Sequence, residues 1–115
     1  PIILEQILNN LISNAIKHND KGDHGKISIS LKDKSNSIEI EIKDNGPGID
    51  NSLLEKIFQP FYMVDKLKKG NNTGIGLSIV KRGVEKLNGE IIVESVLKEF
   101  TSFKLTLPKQ LNIEL

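Results

Sequence analysis

The chain has 115 residues, 37% hydrophobic and 27% charged, with a formal net charge of +1. That length suits one domain over 1–115 with a core of its own, and the near-neutral balance gives no general attraction to nucleic acid or to an anionic membrane. There is no cysteine, which excludes disulfides, thiolate metal sites and cysteine nucleophiles and fits a reducing compartment.

No apolar run approaches the ~18 residues that suggest a membrane span. The chain opens at Pro1-Ile2-Ile3-Leu4, already inside an apolar helical pattern, and so reads as an excised piece of something longer. Leu4, Ile7, Leu8, Leu11, Ile12, Ala15 and Ile16 recur at helical spacing and predict a first helix that fades near His18-Asn19-Asp20. Ile27, Ile29 and Leu31, then Ile38, Ile40 and Ile42, alternate with polar residues as two half-buried strands. Asp33 to Asn36 is the polar turn between them, so the pair reads as an antiparallel hairpin. A short helix is expected over 52–57, capped by Asp50 or Ser52.

Residues 63–73 form a lysine-rich loop. A second long helix should start near Gly74 to Leu77 and run to about Asn88, with Gly89 as its stop. Gly83 in its middle should cost about 1 kcal/mol relative to alanine. Glu90 to Ser95 and Ser102 to Leu107 make a second hairpin. The pattern is α+β: a two-layer sandwich in which about three helices cover one face of a mixed, mostly antiparallel sheet.

Three stretches could carry chemistry. Asn10, Asn14 and Lys17 fall at i, i+4 and i+7 and flank the apolar stripe of the first helix. Asparagine oxygens are hard neutral ligands suited to Mg²⁺, and a lysine one turn on can meet a phosphate; a solvated helix edge is the plainer reading. Asp44-Asn45-Gly46-Pro47-Gly48-Ile49 ends a strand, with glycines that allow close backbone approach and a carboxylate that suits an exocyclic amine. An ordinary turn would also use these residues. Thr73-Gly74-Ile75-Gly76-Leu77 opens a helix, where free N–H groups can bind phosphate oxygens. It is not a Walker-type loop, and it does not follow a strand as a Rossmann fingerprint does. Lys66, Lys68 and Lys69 could neutralise a polyphosphate or simply be a solvated loop. Phe58, Phe61 and Tyr62 are three of five aromatics, with core packing as their ordinary use. His18 and His24 lack partners at metal or triad spacing.

In order, these stretches resemble the boxes of the histidine kinases. Asn10-Leu11-Ile12-Ser13-Asn14-Ala15-Ile16-Lys17 is similar to their asparagine box, and Asp44 to Ile49 to their first glycine box. Ile57-Phe58-Gln59-Pro60-Phe61-Tyr62 resembles the phenylalanine box, and Thr73 to Lys81 the second glycine box. The resemblance covers about residues 3–108. It implies a Bergerat-type ATP fold, shared with gyrase, the heat-shock chaperone ATPases and MutL, with ATP and Mg²⁺ as cofactors. Asn14 would then ligate Mg²⁺, Asn10 would assist near the phosphates and Lys17 would touch phosphate. Asp44 would read adenine, Gly46 and Gly48 would shape its pocket, and Ile49 would lie against the base. Gly74 and Gly76, with Thr73, Ile75 and Leu77 around them, would hold the phosphates. Residues 62–73, Lys66 among them, would be an ATP lid anchored by Phe58 and Phe61.

The resemblance also separates the kinase from its ATPase cousins. Those carry a glutamate that activates water where this chain has Asn10, and asparagine cannot be that base. The implied activity is therefore donation of the γ-phosphoryl group to a histidine on a separate dimerisation domain, with a response regulator downstream. The family's histidine box is missing from the chain. The implied setting is a cytoplasmic domain of a sensor, with neither nucleic-acid nor direct membrane contact. Departures are His18, where an aromatic is commoner and which would border the adenine site, Gly83 in place of a large apolar residue, and Lys98 and Phe100 where glycines are usual. An anti-sigma-type serine kinase of the same fold, a non-catalytic nucleotide-sensing module and a hydrolysing ATPase are the alternatives.

Overall fold

A computed structural model describes residues 2–59 and 76–109. Helix α1 spans Ile2–His18, as its periodicity predicts, and buries Ile7, Leu11 and Ala15. Ile16 belongs to the expected stripe but is 62% exposed. It lies about 100° around the helix from Ala15, which rotates it off the covered face. Lys17 and His18 occupy the last turn, where positive charge is favoured by the helix dipole.

Strands β1 (Ile27–Asp33), β2 (Ser37–Asp44), β3 (Glu90–Val96) and β4 (Phe100–Pro108) form one sheet in the order β1-β2-β4-β3. Every pairing among the described residues is antiparallel, so the expected mixed character is not found there. The register aligns Ile29, Ile42, Phe103 and Val93 in one cross-strand row, and Leu31, Ile40, Leu105 and Ile91 in another. Helix α1 lies over β1 and β2, α2 (Gly76–Lys86) lies against β3, and the helices pack on each other. The core is the face they share: Ile7, Leu11, Val80, Val84, Ile40, Ile42, Ile57, Phe103, Leu105 and Leu107 are all buried. Each such side chain contributes about 1.5–3 kcal/mol by leaving water.

The short helix expected over 52–57 is instead a 3₁₀ turn at Asn51–Leu53 that continues as turns. Its amides bond three residues back: Leu53 to Asp50, Leu54 to Asn51, Lys56 to Leu53, Gln59 to Lys56. That is 3₁₀ rather than α spacing. Asp50 is the cap, accepting from the Ser52 amide at 2.9 Å. Of the three expected helices, two are therefore α-helices among the described residues.

Helix α2 stops differently from the expectation. Asn88, not Gly89, takes the left-handed conformation (φ 59°). The Asn88 amide donates to the Glu85 carbonyl and the Gly89 amide to the Val84 carbonyl, which is a Schellman ending. Gly89 serves a different need: a Cβ there would stand 2.6 Å from both Leu107 Cδ2 and the Thr106 carbonyl oxygen. Gly83 has a similar reason, since a Cβ would lie 3.1 Å from Ile7 Cγ1 and Cδ1 and 3.3 Å from Ile3 Cγ2. Its low helix propensity is exchanged for close approach of α1 and α2.

The β3–β4 turn carries the remaining departure. Lys98 has φ 67°, a region where a Cβ costs about 1–2 kcal/mol. Lys98→Gly should accordingly raise the unfolding free energy by up to about 1 kcal/mol, after glycine's greater loss of freedom is deducted. Gly83→Leu should lower it by about 1–3 kcal/mol through overpacking between the helices. Urea unfolding of the 115-residue chain measures both; an unchanged midpoint for Lys98→Gly would show that the turn relaxes around its lysine.

Candidate functional site

On α1, Asn10 and Asn14 are half-buried at the edge of the covered face, and Lys17 is exposed. The Asn10 amide nitrogen donates to the Gln6 carbonyl one turn back, at 2.9 Å. That bond fixes the amide orientation, which leaves Oδ1 as the outward group. Among the described residues no three His, Cys, Asp or Glu side chains gather as a metal site. A cation here would rely on neutral asparagine oxygens, water and the ligand's own phosphates, a donor set that fits Mg²⁺.

Asp44 ends β2 half-buried. Its Oδ1 accepts the Gly46 amide at 2.8 Å. Burial pushes the carboxyl above its ordinary value of 3.8, and the Gly46 N–H works against that rise. Gly46 is itself buried, and a Cβ there would stand 2.8 Å from Asp44 Oδ1 and 3.4 Å from Asn19 Cα. The end of α1 thus sits directly on the Asp44 turn, with the His18 carbonyl oxygen beside Gly46.

Asn45 holds that junction, a role its place in a turn-forming stretch does not reveal. Its Oδ1 accepts from Asn19 Nδ2 at 2.9 Å and from the Lys26 amide at 2.8 Å. Its Nδ2 donates to the His24 carbonyl at 2.8 Å. Its own amide donates to the Lys26 carbonyl. One side chain therefore joins the α1 terminus, the 24–26 loop and the β2 end.

The far side of the turn is tied to the β3–β4 hairpin. The Lys98 amide donates to the Pro47 carbonyl at 2.6 Å. Gly48 has φ 74°, and a Cβ there would lie 2.9 Å from Leu97 Cα. The Ile49 amide donates to Ser95 Oγ at 2.6 Å. Ser95 and Thr101 are buried polar residues in a third cross-strand row, Ile27–Asp44–Thr101–Ser95. Sequence reasoning missed both. The alternation Ile91, Val93, Ser95 on β3 and Leu105, Phe103, Thr101 on β4 carries the signal, since it places two hydroxyls on the inner face beside Asp44.

Phe58 is half-buried and meets Phe103 edge-on, with centroids 6.3 Å apart, under Lys81 Nζ at 5.5 Å. It is tied to the core, as the plainer reading of these aromatics has it. Helix α2 begins at Gly76, so the amides of Gly76 and Leu77 are among those a helix leaves without internal partners. Phe61, Lys66, Lys68, Lys69, Thr73, Gly74, Ile75 and the 62–73 loop lie outside the described residues.

The family model described as histidine kinase-, DNA gyrase B-, and HSP90-like ATPase matches residues 1–111. The sensor histidine kinase WalK of Bacillus subtilis (strain 168) is 38% identical over 107 residues; the match covers 91% of this chain and 18% of WalK. The mycobacterial sensor histidine kinase MprB superposes with a TM-score of 0.81 at 27% identity, over 92% of this chain and 72% of that one. Full-length ShkA in complex with AMPPNP superposes with a TM-score of 0.78 at 26% identity, over 92% of this chain and 21% of that one. The chain thus spans less than a fifth of WalK, and no helix among the described residues is long and apolar enough to cross a membrane. By the family match over residues 1–111 and the shared α+β fold, the chain belongs to the histidine kinase-, DNA gyrase B-, and HSP90-like ATPases, as a sensor histidine kinase catalytic and ATP-binding domain.

Proposed function

We propose that the domain binds Mg-ATP and donates the γ-phosphoryl group to a histidine on a separate dimerisation domain of its parent sensor. The observation that carries this reading is the Asp44 turn: a half-buried carboxylate beside a buried glycine, at the junction of α1 with the sheet. Asp44 accepts from the exocyclic amine of adenine, and Gly46 and Gly48 keep the backbone low enough for the base to approach. Ile49 packs on the base, with His18 on the opposite rim. From α1, Asn14 ligates Mg²⁺, Asn10 steadies the phosphates and Lys17 neutralises one of them. The amides of Gly74 and Gly76, with Thr73, Ile75 and Leu77, and Lys66 of the lid complete the phosphate site. Full-length ShkA, on which this chain superposes, is in complex with AMPPNP, which supports a nucleotide as the ligand.

Transfer by such a site is positioning and charge neutralisation, with the chain supplying no covalent intermediate. Asn10 is the reason for transfer rather than hydrolysis, because an amide cannot deprotonate water. The phosphoryl group then passes from the histidine to a response regulator, on the cytoplasmic side of the parent sensor.

Incubated with Mg²⁺ and γ-labelled ATP, the 115-residue chain should bind nucleotide and remain unlabelled. Added dimerisation domain should take the label on a histidine. Strong self-labelling, transfer to serine, or turnover of ATP by the chain alone would each point to one of the alternative activities. Asn14→Ala should weaken Mg-ATP binding roughly ten- to hundredfold, the scale of a lost contact to a charged group.

Asp44 gives a second test with a definite sign. Its folded pKa is raised by burial, so the ionised carboxylate opposes folding. That penalty sets in as pH rises from 3.8 and is complete above the raised value. Asp44→Asn should therefore unfold at a higher temperature than the parent at pH 7, with the gap closing in acid. ATP affinity of the parent should fall as pH drops through the same raised value. Calorimetry across pH measures both; a less stable Asp44→Asn at pH 7 would contradict the burial argument.

A further inference from the structure

The link between α1 and the Asp44 turn runs through two asparagine side chains, and their partners assign which way each amide faces. The Lys26 amide can only donate, so the Asn45 atom it meets at 2.8 Å is the oxygen. Nδ2 then faces the His24 carbonyl oxygen, which can only accept, at 2.8 Å. On the other side the Lys21 amide donates to Asn19 Oδ1 at 2.9 Å, which turns Asn19 Nδ2 toward Asn45 Oδ1, also 2.9 Å away. Each amide is thus oriented by partners of its own, and the bond between them follows with donor facing acceptor. The backbones are close as well: a Cβ at Gly46 would stand 3.4 Å from Asn19 Cα and 3.5 Å from the His18 carbonyl oxygen. Gly25 leaves room for the Asn19 side chain, since a Cβ there would stand 2.7 Å from Asn19 Oδ1.

We propose that Asn45, through Asn19, is a positioning residue that sets the spacing between the base end and the phosphate end of the nucleotide site. This rests on the Mg-ATP reading above, with adenine at Asp44 and the Mg²⁺-bound phosphates at Asn14 and Lys17. Asn45 follows Asp44 in the chain, and Asn19 follows the last residue of α1. A helix rises about 1.5 Å per residue, so Asn14 lies about 6 Å back from His18 along α1. Whatever fixes the end of α1 therefore fixes Asn14. The apolar contacts of α1 do this poorly along the axis. Burial of Ile7, Leu11 and Ala15 is non-directional, and α2 meets Ile3 and Ile7 with the bare backbone of Gly83. A ligand held at both ends gains over either half only when the two ends stand at the matching distance. Asn45 contributes to that gain and to neither half, since in the Mg-ATP reading neither Asn45 nor Asn19 meets the nucleotide.

The test compares Mg-ATP, which spans both ends, with adenosine, which occupies the base end alone, on the 115-residue chain. Calorimetry follows the first, and chemical-shift titration, suited to weak ligands, follows the second. The parent should bind Mg-ATP more tightly than adenosine. In Asn45→Ala the Mg-ATP affinity should fall about five- to tenfold while adenosine stays within about twofold of the parent. Asn19→Ala leaves the bonds of Asn45 to the 24–26 loop in place; it should show the same selective loss, and it carries the test should Asn45→Ala unfold. The double variant should lose no more than either single one. Asn45→Asp keeps the acceptor for Asn19 and Lys26 and should retain the Mg-ATP gain. A merely structural asparagine would weaken both ligands in parallel. That result, an unchanged ratio or additive losses in the double variant overturns the inference while leaving ATP binding in place, and so does a parent that binds Mg-ATP but not adenosine. Failure of the parent to bind Mg-ATP overturns the Mg-ATP reading itself.

Discussion

The turn from Asp44 to Ile49 is clamped from two sides, and the geometry of the site follows from that clamp. On one side Asn45 bonds Asn19, Lys26 and the His24 carbonyl, so the C-terminal end of α1 cannot slide relative to β2. On the other side the Lys98 amide meets the Pro47 carbonyl and Ser95 meets the Ile49 amide. Neither clamp is hydrophobic. Apolar burial brings α1 onto the sheet, but it is non-directional. Polar bonds with fixed partners then set where Asp44 and the edge of α1 lie relative to each other.

The sequence made the elements legible because its hydrophobic periods are clean. Ile27, Ile29 and Leu31 against Ile38, Ile40 and Ile42 predict a hairpin, and the structure pairs Ile29 with Ile42 and Leu31 with Ile40. The α1 stripe holds at Ile7, Leu11 and Ala15 and fails at Ile16, one residue past the covered arc. Asp44 and Gly46 were legible as a turn that could carry a site, and the structure joins them through a direct hydrogen bond.

What was not legible depends on contacts distant in sequence. Asn45 looks like a turn former, and only the fold places Asn19 within reach of it, 26 residues away. Ser95 is separated by 46 residues from the Ile49 amide it holds. The glycines show the same limit. Gly83 reads as a weak spot in a helix until Ile3 and Ile7 are seen against it, and Gly89 reads as a helix stop until Leu107 is. The segment after Asp50 reads as an α-helix and folds as a 3₁₀ turn because capping chemistry marks the start of either and says little about the hydrogen-bond span that follows.

The cross-strand rows divide one small sheet between folding and the proposed binding. Two of them, through Phe103 and Leu105, are apolar and lie under the helices. The next row on the same face continues the same strands with Asp44, Thr101 and Ser95. Had it continued the apolar pattern, it would have extended the core and contributed several kcal/mol of further burial. Instead it holds a half-buried carboxylate whose pKa is pushed upward, an arrangement unfavourable to folding. The row tolerates this because its hydroxyls are satisfied by neighbours and Asp44 has the Gly46 amide, so no buried side-chain polar atom among the described residues is left unpaired. Stability is therefore supplied by the apolar rows, and under the proposed function base recognition falls to the polar one. A substitution that makes the polar row more like its neighbours should gain the first at the expense of the second.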